Sequence, residues 1–565
     1  MSEESEELAS PFGKAISFLR VALPTALALV FLFPIALSGL SGDDIPNSMR
    51  SANLQVNGWT PWEYVNLLIS QWKTHEGRFF PIAILENVFI FDLIHSVFLY
   101  KLLQYFTTIS LLVFAAVLIT KIVGSKWLFP IALFVLVGCV QTRNWYDPTL
   151  GFGLLLQSVQ IKTLACLYSL CRLFQTRENK WLWYLGSCVA FWVLALLQYE
   201  VVVTLFPTLV ILIIYLPGDR LRKVTSFVTL LLSTVLYLGY VFRIRAGINA
   251  SAAYTFNIDL SVASLTYIKQ LSGGMPFSAV VWARGSSSFL TAMSELPLLH
   301  LLLLSATMAL TIMCRSHLAN VSRQRAVMLL AIGLNFVLGP TLTTAISVRW
   351  QNEVNWGLSY LSVAFVYTGV AFMALSILIM VSGFSITKPI VSTTLISLFV
   401  LLFGLSAISN HDLLDNNVSK TKILRKQRDL YELAIRRDFF ADVPDSSIII
   451  YPFFDENYWV NDYFTEWLGG PKKLSFVRTD TEAKTRCASR DLLKQCPNMF
   501  LLEYFDISPS LLALSLTHLG SSEINFQISQ HFFGKGLDHS DWQKLCSRVD
   551  GDINSNNGKI QCLLN

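Results

Sequence analysis

Charged side chains are scarce in this chain. Asp, Glu, Lys and Arg together make up 14% of its 565 residues, against roughly a quarter in an ordinary soluble domain. With 53% hydrophobic residues and a mean hydropathy of +0.51, the chain is too apolar to be soluble and too long for one buried core. The net charge of +5 is small and implies no nucleic-acid partner. There is no P-loop, dinucleotide fingerprint or serine-hydrolase elbow. No internal repeat is evident, and His75 and His95 lack a partner at metal-ligand spacing, so both read as structural. The N-terminus, "MSEESEELASPFGK", is acidic and polar, unlike a cleavable signal peptide.

What the chain has in quantity is long apolar runs. A hydrocarbon layer about 30 Å thick takes about 20 apolar residues per helix. Spans are expected near 17–40, 98–122, 127–141, 150–171, 181–198, 200–216, 224–243, 297–314, 326–347, 356–381 and 389–408. The run from Trp181 to Leu216 is too long for one helix and divides at "LQYEV", where Gln198 and Glu200 interrupt it. Segments 79–97 and 262–283 are more polar and are expected to lie along the membrane surface. Lys and Arg collect in short cytoplasmic loops. Here "KIVGSK", "CRLFQTRENK", "PGDRLRK", "CRSHLANVSRQR" and "SGFSITKP" all fall on the side of Lys14 and Arg20. This places the N-terminus in the cytoplasm and, with an odd number of spans, the tail from about Asn410 outside.

The opposite face carries "GDDIPNSMR", "HEGRFFP", "RNWYDPT", "QYE", "RAGINASAAYTFNID", "SGGMP" and "SVRWQNEVNWG". Carboxylates, arginines, amides and aromatics recur there. A carboxylate accepts a proton from a hydroxyl, and arginine holds phosphate bidentately. Asp43 and Asp44, directly after the first span, are therefore candidates for chemistry on a lipid-borne substrate. The competing reading is a helix stop with solvated charges. Lys162 falls inside an expected span, where snorkelling toward the cytoplasm is the preferred account and a transport role the rival.

This arrangement resembles the GT-C class of integral-membrane glycosyltransferases, and within it the bacterial GtrII-type glucosyltransferases. The resemblance rests on "DD" after the first span, "GR" at Gly77–Arg78, "QYE" at a helix break, and the segments "YTFNIDLSVASLTYIKQLSGGMP" and "SVRWQNEVNWGLSYLSV", and it covers roughly residues 15–410. It implies a polyprenyl-phosphate-linked sugar as donor, a glycan or lipid-linked acceptor, and a catalytic acid in the first external loop, here Asp43 or Asp44. Phosphate binding by Arg78 is a further reading on the resemblance, with an interfacial snorkel as its alternative. Arg349, as a second phosphate ligand, and Gln351 and Tyr199 are candidates to line a cavity on the external face, and Glu200 either joins them or forms a structural pair with an arginine. Some members of the class bind a divalent ion through such acids, so Mg²⁺ or Mn²⁺ on Asp43 and Asp44 is an open alternative. "RWQNE" departs from the Lys-Tyr-Gln type of run expected of the family.

The tail is different material. "SKTKILRKQRDLYELAIRRDFF" reads as a basic amphipathic helix, and "SSIIIYPFF", "KLSFVR", "NMFLLEYFD" and "EINFQIS" read as strands. An oxidising exterior allows two disulfides among Cys487, Cys496, Cys546 and Cys562, and at least one is expected. Pairing of neighbours is one of three connectivities, and a four-thiolate zinc site lacks the usual close spacing. The expectation is thus an α-helical polytopic protein of the plasma (inner) membrane, with about eleven transmembrane helices. It comprises a cytoplasmic tail (1–16), a GT-C-like transmembrane catalytic domain (17–408) and a small extracytoplasmic α/β domain (409–565). A carrier or flippase of a lipid-linked or anionic solute is the alternative function.

Overall fold

The computed structural model describes residues 11–48, 50, 54, 57–143, 147–176, 180–248, 255–278, 281, 289–357, 359–383, 389–436, 440, 443–445, 447–450, 474–477, 499–508, 511–518 and 524–530. They fall into two compact units, one formed by Met1–Asp44 with Val65–Lys420 and the other by Ile45–Tyr64 with Thr421–Asn565. In chain order the helices are α1 Pro11–Leu32, α2 Pro34–Leu37, α3 Asp44–Asn47, α4 Pro61–His75, α5 Pro81–Leu93, α6 Val97–Val123, α7 Leu128–Cys139, α8 Leu155–Gln175 and α9 Trp181–Leu196. A 3₁₀ turn, Glu200–Leu205, leads into α10 Phe206–Tyr215. There follow α11 Arg220–Arg245, α12 Leu260–Ser272, α13 Phe289–Glu295, α14 Leu298–Met313, α15 Arg315–Ala319, α16 Arg323–Ala345, α17 Val348–Glu353, α18 Val363–Gly383 and α19 Pro389–Arg436.

Among the described residues six helices are long and apolar enough to cross a membrane: Ser17–Leu37, Val97–Val123, Arg220–Arg245, Arg323–Ala345, Val363–Gly383 and Ile390–Ser419. Leu128–Cys139, Trp181–Leu196, Glu200–Tyr215 and Leu298–Met313 are shorter apolar helices. The chain is a helical polytopic membrane protein. Each expected span has a helix at its place. α8 differs from the others because Gln157, Gln160, Lys162 and Arg172 make it too polar for the apolar set. The two segments expected along the surface form α5 and α12, both short.

Local chemistry sets the boundaries. Ser96 caps α6 by accepting from the Leu99 N–H, and the helix ends at Gly124, in the left-handed region at φ +77°. A side chain there would collide with the Arg325 guanidinium, whose Nη1 donates to the Val123 carbonyl at 2.6 Å. Ser322 caps α16 and Asp259 caps α12. α16 and α18 cross at Gly333 and Gly369, where a Cβ on either would lie within 2.8 Å of the other's carbonyl oxygen. Small residues at a crossing let backbones approach closely where lipid provides no hydrophobic drive.

The second unit contains a five-stranded sheet. Its strands are β1 Ile448–Ile450, β2 Ser475–Val477, β3 Met499–Ser508, β4 Leu511–His518 and β5 Ile524–Gln530, in the order β2-β1-β3-β4-β5. β1 pairs in parallel with β2 and β3, while β3–β4 and β4–β5 are antiparallel. Four of these strands lie where the sequence places them, and β4 was not anticipated. Cys487, Cys496, Cys546 and Cys562 lie outside the described residues.

Candidate functional site

The two acids after the first span have opposite fates. Gly42, at φ +55°, turns the chain so that its backbone lies against Gly151, where a Cβ would come within 3.1 Å of the Gly151 carbonyl oxygen. The Asp43 N–H donates to that same oxygen at 3.0 Å, and the Ser41 hydroxyl donates to the Leu150 carbonyl. Asp43 is exposed, whereas Asp44 is wholly buried. One Asp44 oxygen accepts from Lys101 Nζ at 3.2 Å and the other from the Gly153 N–H at 2.5 Å. Lys101 is equally buried and spends its other N–H groups on Gln104 Oε1 at 2.9 Å and the Leu150 carbonyl at 2.7 Å. The ammonium already stands where a divalent ion would bind Asp44, so an Asp43–Asp44 chelate does not fit this arrangement. Among the described residues no group of three or more His, Cys, Asp or Glu is placed to hold a metal.

Next to this anchor, Arg143 ties its segment to neighbouring elements. Its guanidinium donates to the Tyr367 hydroxyl at 3.1 Å, to the Ser359 hydroxyl and carbonyl at 3.0 and 3.3 Å, and to the Gly273 carbonyl. Asp147 accepts the N–H groups of Arg143, Thr149 and Leu150. Gln141 and Ser278 complete the knot, Gln141 donating to the Met275 carbonyl and Ser278 to Gln141 and Gly273. A Cβ on Gly273 would lie 2.6 Å from the Ser359 hydroxyl, and one on Gly274 would overlap Val366. "SGGMP" is therefore a packing requirement of this buried polar knot.

A third group forms where α5 meets the break between α9 and α10. The Ile82 N–H donates to the Leu197 carbonyl, so the start of α5 docks on the "LQYE" segment. Arg78 Nε donates to Glu200 Oε1 at 2.6 Å, with side-chain exposures of 15% and 27%, a half-buried pair. The guanidinium lies 4.6 Å from the Phe80 ring and 5.6 Å from the Trp72 ring. Further along α5, Glu86 accepts from Lys162 Nζ at 2.5 Å, the Ser158 hydroxyl at 2.8 Å and Gln198 Nε2 at 2.7 Å. Lys162 thus does not snorkel. Pairing within the protein replaces escape to water, because an acidic partner from α5 reaches its position in α8.

The remaining candidates are more constrained than the sequence implies. Arg349 donates to Glu353 Oε1 at 3.0 Å and lies 4.7 Å over Trp350, which itself stacks on Tyr360 at 3.5 Å. Gln351 is a clamp: its amide donates to the Asn257 and Ala345 carbonyls and accepts from Asn257 Nδ2. It fastens the short bridge of Phe256 with Ser347. Tyr199 is buried, 5% exposed. Sequence reasoning missed Lys101 and Glu86. The readable signal for Lys101 was a lysine one turn inside an expected span, since an intramembrane cation calls for a partner.

Asp43 is exposed on its fixed turn, the Arg78–Glu200 and Glu86–Lys162 pairs are equally half-buried, and Asp44, Arg143 and Tyr199 are interior. Chemically, Asp43 can accept a proton and Arg78 can hold an anion. No family model matches this chain, and no curated protein matches it.

Proposed function

We propose that this chain is a GT-C-type glycosyltransferase of the plasma (inner) membrane, with about eleven spans. Its N-terminus is cytoplasmic and residues 409–565 form an extracytoplasmic α/β domain. It transfers a sugar from a polyprenyl-phosphate donor to a surface glycan or other envelope acceptor on the external face. The observation that carries this reading is the pairing of roles in "DD": an exposed carboxylate, Asp43, on a backbone held by a buried one, Asp44. Asp43 accepts the proton of the acceptor hydroxyl as its oxygen attacks the anomeric carbon. The bond from that carbon to the phosphate oxygen breaks, and the polyprenyl phosphate leaves with the electron pair. Arg78 stabilises the charge on the leaving phosphate. Asp44 is a positioning residue. Arg349, already paired with Glu353, is the more peripheral arginine. No step is routed through a metal.

The test is transfer by purified full-length protein supplied with a panel of polyprenyl-phosphate sugars and envelope acceptors. Glycosylated acceptor with one of the donors is expected. Folded protein that transfers none of them contradicts the reading. The second reading, a carrier of a lipid-linked or anionic solute, is favoured by the Glu86–Lys162 pair between helices. It predicts movement of a lipid-linked sugar between leaflets of proteoliposomes with no acceptor consumed.

A further inference from the structure

The faces of α12 are the reverse of those of a helix resting in water. Its protein-facing side carries Thr266 and Gln270, both buried. Its outward side carries Leu260, Leu265 and Ile268, which are 77%, 48% and 52% exposed. A helix at an aqueous surface buries its apolar face and exposes its polar one. α16 provides a measure of depth. It is long and apolar enough to cross a membrane, and its 23 residues extend about 35 Å, slightly more than the hydrocarbon layer. The segment before α12 is fastened to the end of α16: Phe256 bridges Ser347, and the Asn257 N–H donates to the Ile346 carbonyl at 2.9 Å. Further along α12, the Tyr267 hydroxyl donates to the Leu338 carbonyl at 3.1 Å. Leu338 precedes Ala345, the last residue of α16, by about 10 Å along the helix. α12 therefore runs from the end of α16 back alongside it. Just past its last turn the chain meets α18, a second helix long enough to span, where a Cβ on Gly274 would overlap Val366.

The turn after α12 is irregular backbone, and irregular backbone inside a bilayer persists only where protein satisfies it. Side chains do so here. The Gly273 carbonyl accepts from the Arg143 guanidinium and the Ser278 hydroxyl, and the Met275 carbonyl accepts from Gln141 Nε2 at 2.7 Å. The polar face of α12 serves the chain leading into α18 in the same way. Gln270 Oε1 accepts the Tyr360 N–H at 2.8 Å, and the Ser272 hydroxyl accepts the Gly357 N–H at 3.0 Å. We infer that α12 and the turn at Gly273–Ser278 are inserted in the bilayer beside α16, with Leu260, Leu265 and Ile268 against lipid acyl chains, and that Arg143 and Gln141 supply the hydrogen bonds that water gives elsewhere. The occupant of this face is lipid because Leu338 and Leu342, exposed on the membrane-crossing helix to which Tyr267 bonds, extend the same apolar surface. This puts α12 within the hydrocarbon rather than along the membrane surface, where the sequence leads one to expect it. Lys269, the one charged side chain within α12, is half-buried. Helical side chains lean toward the N-terminus, here the end nearest the boundary, so its long stem lets the ammonium reach water. The inference does not depend on the proposed function.

The experiment is depth-dependent fluorescence quenching of full-length protein in nanodiscs. A small fluorescent amino acid is introduced by codon suppression at one position at a time, which leaves the native cysteines in place, and thermal melting checks folding. The positions are Leu265 and Ile268 on α12, Leu342 on α16 as the lipid reference, and the exposed Asp219 as the water reference. The quenchers are nitroxides on lipid acyl chains, nitroxides on lipid headgroups, and iodide in the buffer. Probes at Leu265 and Ile268 should be quenched by the acyl-chain nitroxide as strongly as the probe at Leu342, and by iodide at least fivefold less than the probe at Asp219. Iodide quenching at Ile268 equal to that at Asp219, in folded protein, overturns the inference. Stronger quenching from headgroups than from acyl chains at both α12 positions also overturns it, because that pattern belongs to a helix lying on the surface. Gln141→Leu tests the turn, since it removes the donor to the Met275 carbonyl and an acceptor of the Ser278 hydroxyl. Amide exchange at Ser278 should then quicken at least tenfold while that of α16 stays unchanged. Wild-type exchange at Ser278 in folded Gln141→Leu protein overturns the role given to Gln141.

Discussion

At the scale of single residues, the adjacent acids Asp43 and Asp44 show how little sequence proximity says about role. Two donors face Asp44, the Lys101 ammonium and the Gly153 N–H. An asparagine offers one acceptor to the pair and turns its own N–H₂ toward the other. Lys101→Met removes the counter-charge and leaves Asp44 buried without it. Breaking a buried pair from one side typically costs about 3–5 kcal/mol. Lys101→Met should therefore lower the melting temperature in detergent sharply, and Asp44→Asn combined with Lys101→Met should regain part of the loss. A double variant that melts below both singles would refute the pairing account. The identity of these residues as ionisable groups near span ends was legible in the sequence. Their partners were not, because Asp44 and Lys101 are brought together by the packing of α6 against the turn at Gly153. The same holds for Lys162, whose acid lies in α5.

At the scale of elements, periodicity and length located the helices, and capping residues explain where they stop. Asp259 is an example with a pH signature. The Ser261 hydroxyl and N–H, with the Val262 N–H, hold its exposed carboxyl below the usual carboxylate range. A lowered folded value means that the cap stabilises α12 above the unfolded value of about 4. That stabilisation is lost as pH falls through the folded value. Hydrogen exchange of the first-turn amides of α12 should be faster in Asp259→Ala than in wild type at pH 7, with the difference vanishing in acid. A difference that persists at low pH would mean that the carboxylate is not the cap. The α16–α18 crossing is a second test. Gly333→Ala forces a methyl against the Gly369 carbonyl and should cost about 1–3 kcal/mol, as overpacking usually does. Unchanged thermal stability would show that the helices can separate freely. β4, "LLALSLTH", escaped the sequence reading because its Leu and Ala content favours helix. It is a strand because β3 and β5 pair with it on either side.

At the scale of the whole molecule, composition alone separates this chain from soluble proteins, and the helices agree. Sidedness comes from the basic loops, so cysteine-accessibility labelling of whole cells is its test. An introduced cysteine in the tail should be labelled and one in "PGDRLRK" protected, and the opposite pattern would invert the topology. The candidate residues were legible in the sequence as polar segments that interrupt the apolar runs. Which of their residues are available for chemistry was not, since burial divides Asp43 from Asp44 and Arg78 from Arg143. The most direct test of the transferase account is to compare the turnover of Asp43→Asn and Asp44→Asn protein with wild type, using the polyprenyl-phosphate donor that the wild type accepts. Loss of a general base typically costs about 10²–10⁴ in rate. The account predicts that Asp43→Asn loses turnover on that scale while melting like wild type, and that Asp44→Asn loses stability first. Wild-type turnover by well-folded Asp43→Asn protein would reduce the first-loop acids to a helix stop and contradict the account.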